Sequence, residues 1–499
     1  MSNRTICLIN DSFPPVTDGV ANAVVNYGRA ITESGSRAVV ATPAYPGADD
    51  SGFSFPVVRY PSIDMTKLVG YHAGFPFSEK TMQTLMEHPF DLIHCHCPIT
   101  SAVLARELRA RIHVPAVFTY HTKFDIDIAN AIHAKLLQEG AKKLLVDNIS
   151  AFDEVWTVSH GAGENLRSLG YQGDWRVMPN GVDFARGRVP EEDVRAVCRD
   201  IDLPEGVPVF LFVGRMMWYK GLRITLDALK KLKDAGHPFR MVFVGSGGDK
   251  DEVVAYANEL GLSDCVFFTS PQYDRSVIRA WYCRGDLFLF PSTFDTNGLV
   301  VREAAACELA SVLVRGSCAA EDITDGRNGF LIEENADSMA ALLAKLCHEP
   351  EVLKRVGRQA QEEIYISWDD AVHRAQQRYE IVIEQYRSPA AIPPAAASPT
   401  SITSRSACAS TCSNAAANTC ASNGTLSRST FSNDMQNAGG RSFGGLRRFY
   451  ALIQFFSFHA RSFRNSSCSK PSTVVSFVMW TNSISIILAQ SRSCSAVTS

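Results

Sequence analysis

A chain of 499 residues exceeds what one ordinary hydrophobic core holds, so two or three domains are expected. With 46% hydrophobic and 20% charged residues it is globular, neither fibrous nor disordered as a whole. The formal net charge of −3 hides an asymmetry: after Ser388 come nine basic residues and one acid, Asp434, which leaves an acidic body and excludes a general nucleic-acid binder, because phosphates need clustered cations.

In chain order, Thr5–Asn10 reads as a strand, Ala21–Ser34 as a helix ended near Gly35, and Ala38–Ala41 as a second strand. Strands Asp91–His96 and Ala116–Tyr120 flank a helix over Thr100–Arg111, and strand Val155–Val158 leads into a helix through Arg167. Beyond a joint near Asp183–Gly206 the pattern restarts with strand Val207–Val213, helix Gly221–Ala235 and strand Arg240–Val244, which runs into Gly245-Ser246-Gly247-Gly248. Helix Asp251–Leu260, strand Val266–Phe268, helix Ser276–Tyr282, strand Leu287–Phe290, helix Gly298–Cys307 and strand Ser311–Val314 follow, and a helix over Trp368–Tyr386 ends the body. Apolar runs alternating with amphipathic stretches predict parallel sheets covered on both faces by helices. The expected fold class is α/β, with two Rossmann-like doubly wound domains, residues 1–185 and 186–387, facing across a cleft. Residues 388–499 are rich in Pro, Ala, Ser, Thr and Asn and read as a disordered tail. Its apolar patches, Phe449–Phe456 and Val474–Ala489, fall short of the ~20 apolar residues of a membrane span. A basic tether, a free extension and a translation artefact all fit that composition, and no function is placed there.

Nine of the 14 cysteines precede residue 388, mostly inside apolar runs, and the apolar stretch after Arg4 is too short for a secretory leader. A reducing cytoplasm is the expected location. His94-Cys95-His96-Cys97 raises the question of a metal. Alternating residues of one strand cannot enclose a tetrahedral ion, and no second Cys/His pair stands at ligand spacing, so none is expected.

Four stretches carry chemistry. In the run from Phe290 to Cys307 a strand, a polar turn and a helix succeed one another, and the free N–H groups after Asn297, those of Gly298, Leu299 and Val300, point at an anion site suited to a diphosphate. Asp295 on the turn and Glu303 inside the helix flank that site, and each accepts hydrogen bonds from sugar hydroxyls. Arg215 and Lys220, in Phe212–Gly221, leave the carboxyl edge of a strand in the same unit, where cations neutralise a leaving diphosphate. Gly19, after the first strand, allows close backbone approach, and His121 in Thr119-Tyr120-His121-Thr122 stands at a strand end where it reaches a sugar hydroxyl. Taken singly, a solvated helix face, surface cations or a structural histidine explains each as well.

Together, and in this order, these stretches resemble the family 4 glycosyltransferases of GT-B fold. Asp295 to Glu303 is similar to the family's carboxylate–seven–carboxylate motif, Gly214-Arg215 with Lys220-Gly221 to its Gly-Arg and Lys-Gly pairs, and Pro179–Asp183 to the entry into its second domain. Pro14-Pro15 with Asp18-Gly19-Val20, and Thr119–Thr122, resemble the branch holding diacylglycerol glucosyltransferases, sulfoquinovosyl transferases and related mannosyltransferases. The resemblance implies a retaining transfer of a hexose from a nucleotide sugar, UDP-glucose favoured, with no metal or other cofactor required. It implies that Glu303 holds the ribose hydroxyls and that Asp295 and His121 touch the donor sugar. Arg215, Lys220, Gly19 and the Leu299 and Val300 amides would hold the diphosphate, with Asn297 and Gly298 lining the site. The acceptor implied is a lipid such as diacylglycerol; the alternative is a hexosyl- or mannosyltransferase acting on a soluble or polyprenyl-linked glycan, with GDP-mannose as a possible donor. Nucleic acid is not an expected partner. The basic, apolar run Lys135, Leu136, Leu137 and Lys142–Leu145 suits a helix in peripheral contact with the anionic inner face of a membrane, and equally a plain surface helix packed on its domain. Three departures stand out: Asp295 is a methylene shorter than the usual Glu, Glu308 replaces a helix-ending glycine, and Ser317–Asp322 lacks the glycine pair usual before Glu321. The first two are the support for the opposing expectation, a sugar-nucleotide-binding regulatory subunit with lapsed catalysis.

Overall fold

Runs such as Thr5–Ile9 and Val209–Val213 form strands because parallel sheets sandwiched between helices bury both faces of a strand. The computed structural model describes residues 3–388 apart from 17, 67–71, 132–133 and 273. The expected tail lies outside the described residues. The first sheet begins with β1 (Thr5–Ile9), β2 (Arg37–Pro43) and β3 (Val57–Tyr60). A separate antiparallel pair, β4 (Ser62–Asp64) and β5 (His72–Gly74), precedes β6 (Leu92–Cys95), β7 (Ala116–Tyr120), β8 (Glu154–Thr157) and β9 (Arg176–Val177). The second sheet comprises β10 (Val209–Val213), β11 (Arg240–Val244), β12 (Val266–Phe268), β13 (Leu287–Phe290), β14 (Ser311–Val314) and β15 (Phe330–Ile332).

Both sheets are parallel throughout and doubly wound. Their orders are β3-β2-β1-β6-β7-β8-β9 and β12-β11-β10-β13-β14-β15, so each reverses direction once, between β1 and β6 and between β10 and β13. These reversals open crevices beyond the carboxyl ends of the strands, where doubly wound folds bind ligands. The expected α/β class, two such units facing across a cleft, is what the chain adopts. Both sheets belong to one compact unit, residues 1–127 and 141–384; the described part of a second unit is residues 128–131, 134–140 and 385–388.

The helices used below are α1 (Gly19–Glu33), α2 (Glu79–Met86), α3 (Thr100–Ile112), α4 (Phe124–Ala131), α5 (Lys135–Ile149), α6 (His160–Ser168) and α7 (Glu191–Val197). After β10 come α8 (Leu222–Asp234), α9 (Lys250–Glu259), α10 (Arg275–Arg284), α11 (Leu299–Ala306), α12 (Ala336–Leu346), α13 (Pro350–Glu363) and α14 (Trp368–Arg387). The chain crosses between sheets twice, side by side: Val182 N–H donates to the Ile366 carbonyl and Trp368 N–H to that of Val182. α14 thereby returns to the first sheet. Its Trp368, Val372, Tyr379 and Ile383 enter the same core as Ile6, Leu8, Val24 and Tyr27. Arg4 pairs with Glu380 and Arg378 with Glu154 along the seam.

One expectation needs correction. Gly19 is the first residue of α1 and not part of the preceding loop, because Asp18 caps the helix by accepting from Val20 and Ala21 N–H. The joint at 183–206 contains α7. The sequence reading left out the half-buried β3 and the two-residue β9, which lack a full apolar run, and also the two helices α12 and α13. Glu308, expected to turn left-handed or prolong its helix, does the former with φ 60°. Its carbonyl oxygen would lie 2.0 Å from a Cβ at Gly357, so only glycine lets α13 approach there.

Candidate active site

β13 and α11 are joined by the turn Pro291–Gly298. Gly298 adopts a left-handed φ of 59°, and a Cβ there would meet the Ala319 Cβ at 2.9 Å, so the turn demands glycine for both conformation and space. No side chain caps α11, which leaves the N–H groups of Leu299 and Val300 free of a capping acceptor at the positive end of the helix dipole. On the neighbouring loop after β10, Lys220 is buried and its Nζ reaches Asp295 Oδ1 at 2.7 Å and Oδ2 at 3.0 Å. Ser292 Oγ donates to Asp295 Oδ2 at 2.6 Å. Arg215 is exposed and has no hydrogen bond or ion pair among the described residues.

Lys220 and Asp295 therefore meet each other before any ligand arrives. A carboxylate offers about four lone-pair sites, and Lys220 and Ser292 take three of Asp295's. Lys220 keeps one N–H of three. Sequence reading had assigned the two residues to separate parts of a ligand; their pairing leaves each with a single remaining hydrogen bond.

Glu303 sits in α11, 8% exposed. Its Oε1 accepts from Arg275 Nη2 and its Oε2 from Tyr282 OH at 2.9 Å, so about two lone-pair sites remain open. Arg275 also pairs with Asp183 and lies over the Phe184 ring at 4.3 Å. Burial pushes the Glu303 carboxyl above the usual range, with Arg275 and Tyr282 pulling against it.

Across the cleft, His121 directly follows β7 and is 8% exposed. Burial drives its imidazole down to about 3, so it is neutral at physiological pH. Its backbone carbonyl accepts from Thr296 Oγ1 at 2.7 Å, Ser159 Oγ donates to the Thr296 carbonyl at 2.5 Å, and Lys123 Nζ reaches the Thr293 carbonyl at 3.3 Å. The 291–298 turn thus docks on the strand ends of the first sheet, which brings His121 to the segment carrying Asp295 and Asn297. Gly19 is exposed with open space where a Cβ would stand.

Asn297 lines an enclosed cavity of about 100 Å³ with Ser159, Arg302 and Glu321, and neither polar atom of its side chain has a partner. Beside it, Glu321 accepts from the N–H groups of His160 and Gly161, capping α6 from the opposite domain. A larger cleft of about 570 Å³ is lined by Lys123, Asp125 and Asn165 from one sheet and Tyr219, Arg223 and Phe294 from the other. Lys123, Tyr219 and Phe294 are chain neighbours of His121, Lys220 and Asp295, so this cleft adjoins the site. Tyr219 is 39% exposed, its ring 4.5 Å from that of Phe294.

Arg275, Tyr282, Ser292, Thr296 and Ser159 were not singled out from sequence. Each acts by holding a residue that was, and the sole local signal is that Ser292 and Thr296 stand beside Asp295 on the same turn. Among the described residues no group of three or more His, Cys, Asp or Glu side chains is placed to hold a metal ion.

Two family models match successive parts of the chain: "Glycosyltransferase Family 4" over residues 17–186 and "Glycosyl transferases group 1" over residues 195–363. An alpha-monoglucosyldiacylglycerol synthase of Acholeplasma laidlawii is 22% identical over 376 residues, 71% of this chain and 91% of that protein. A D-inositol 3-phosphate glycosyltransferase of Acidothermus cellulolyticus is 30% identical over 257 residues, 49% of this chain and 56% of that one. Among solved structures, Anabaena Alr3699/HepE in complex with UDP-glucose superposes with a TM-score of 0.59 at 19% identity, covering 76% of this chain and 99% of that one. The geometry and both halves of the sequence point the same way.

Proposed function

Because the chain belongs to the family 4 glycosyltransferases of GT-B fold and is a hexosyltransferase, we propose that it moves glucose from UDP-glucose to a diacylglycerol-type lipid with retention at the sugar carbon. The observation that carries the donor half of this reading is the uncapped start of α11, whose preceding turn holds Lys220 through Asp295, with Arg215 two residues beyond the adjacent strand β10. A diphosphate there receives the Leu299 and Val300 N–H groups, the last N–H of Lys220 and the unengaged guanidinium of Arg215. As the bond to the leaving phosphate lengthens, negative charge grows on its oxygens, and donors already in place stabilise that charge without reorganising. The two open lone-pair sites of Glu303 accept the two ribose hydroxyls. Asp295 spends its remaining site on a donor-sugar hydroxyl and holds Lys220 in place. His121, neutral, binds the sugar from the opposite wall, and Gly19 leaves room for the diphosphate on that side. No protein nucleophile enters this scheme: the leaving phosphate takes the acceptor's proton as the acceptor attacks from the same face.

The 570 Å³ cleft beside Tyr219 is the space assigned to the acceptor. A lipid acceptor draws support from the diacylglycerol synthase relative and from α5, where Leu136 is 60% and Leu144 37% exposed among lysines, a composition suited to an anionic membrane surface. A second reading, a soluble phosphorylated acceptor, is favoured by the inositol-phosphate transferase relative. Incubating the full chain with UDP- and GDP-sugars, with and without diacylglycerol dispersions, separates them. Release of UDP from UDP-glucose stimulated by diacylglycerol is expected. Turnover only with soluble acceptors would replace the lipid reading, and GDP-sugar turnover alone would replace the donor.

A further inference from the structure

The His94–Cys97 run has so far found no use, yet its two imidazoles are buried directly behind the site. His94 is saturated: its Nδ1 lies 2.6 Å from Tyr379 OH and its Nε2 2.6 Å from Thr119 Oγ1. His96 stacks on His121 with ring centroids 5.2 Å apart, and its Nδ1 is 3.0 Å from His121 Nε2. His96 Nε2 is buried with no partner. His121 Nδ1 is then the nitrogen that no described residue engages.

Burial pushes the His96 imidazole well below its ordinary value, as it does that of His121, so each ring carries a single N–H. One of those protons lies between His96 Nδ1 and His121 Nε2. If His121 supplied it, the proton of His96 would sit on Nε2 as a buried donor without an acceptor. If His96 supplies it, its Nε2 is a bare lone pair. Orphaned buried N–H groups are the rarer defect, so the second arrangement is preferred. We infer that His96 is a positioning residue: by donating from Nδ1 it fixes His121 in the Nδ1–H tautomer and makes His121 a hydrogen-bond donor, not an acceptor, toward an oxygen of the donor sugar. This inference rests on the reading of His121 as a donor-sugar group.

The test uses the full chain with His96→Asn, His96→Gln, His96→Leu and His121→Ala, reading kcat, donor KM and Tm. An Asn amide nitrogen falls near the position of imidazole Nδ1, and a Gln amide nitrogen near that of Nε2. His96→Asn is expected to keep kcat near the parent's. His96→Gln and His96→Leu are expected to lose roughly 10- to 100-fold in kcat, the range typical when the partner orienting a functional histidine is removed, with donor KM little changed. Should His96→Leu fail to fold, the Asn/Gln pair still decides. Equal kcat in those two variants, at any level, or the reverse order overturns the tautomer assignment. Parent-like turnover by His121→Ala would instead overturn the reading of His121 itself and the inference with it.

Discussion

The helices that start beside the reversal of strand order, α1 and α3 in the first sheet and α8 and α11 in the second, begin differently. Behind the first sheet the termini are filled. Asp18 caps α1, Asp11 accepts the Thr100 and Ser101 N–H groups at the start of α3, and α6 is capped by Ser159 and by Glu321. Behind the second sheet α10 and α12, after the edge strands β12 and β15, are capped by Asp274 and Asn335, whereas α8, α9 and α11, which follow β10, β11 and β13, have no side-chain cap. Free N–H groups and dipole ends attract anions, and capped ones do not. The difference places the anion site on the second sheet, although both sheets share one winding order. The first sheet contributes neutral groups, above all His121, where a polar but uncharged hexose is to be held.

This contrast can be broken by substitution. The largest effect is expected for Lys220→Ala, a loss of roughly 10²- to 10³-fold in kcat with Tm little changed, since the removed group stabilises charge formed in the reaction; steady-state kinetics with UDP-glucose checks it. Glu303→Ala comes next. Donor KM should rise roughly tenfold or more, and the buried Tyr282 hydroxyl left without its acceptor should cost about 1–3 kcal/mol of stability, read by denaturant titration.

Glu303 also sets a pH dependence. Its carboxyl is raised by burial, so on acidification it protonates above the usual Glu range and donor affinity falls there. The raised value means that this group's contribution to folding is fully present at low pH and lost as pH rises through the folded pKa, so the acid limb reports binding and not unfolding. Donor affinity measured against pH should lose that limb in Glu303→Gln.

Gly298→Ala and Gly19→Ala sharpen the comparison between the sheets. The first forces a left-handed alanine against Ala319 and should weaken UDP binding and lower Tm, at a backbone cost of roughly 1–2 kcal/mol. The second meets open space and should change UDP binding several-fold less. The smallest effect belongs to Glu308→Gly, which relieves a left-handed glutamate and should stabilise by ~1 kcal/mol, a Tm rise of about 2 °C by thermal melting, with activity unchanged.

Long apolar runs such as Val209–Val213 announced the sheets, and their alternation with amphipathic stretches announced the double winding. Both edge strands of the first sheet were missed, because β3 is half-buried and β9 two residues long, whereas the edge strand β12 of the second sheet showed as Val266–Phe268. Within the site, residues on the strand-end motifs were legible because glycines and charges cluster there. What sequence could not give is pairing. Nothing in the spacing says that Lys220 spends itself on Asp295, or that Glu303 is clamped by Arg275, 28 residues upstream on another helix. Such pairs depend on how loops after β10, β12 and β13 converge, which is set by sheet order and not by local pattern. The capping of α6 by Glu321 has the same origin, 161 residues from the His160 N–H that it accepts.

The most direct test of the anion-site assignment is a calorimetric titration of UDP, against uridine as a control, into the parent chain, Lys220→Ala and Asp18→Ser. The account predicts that UDP binds well over tenfold more tightly than uridine to the parent and to Asp18→Ser, and that Lys220→Ala loses most of that advantage. An advantage that survives in Lys220→Ala but vanishes in Asp18→Ser would place the diphosphate on the first sheet and contradict it.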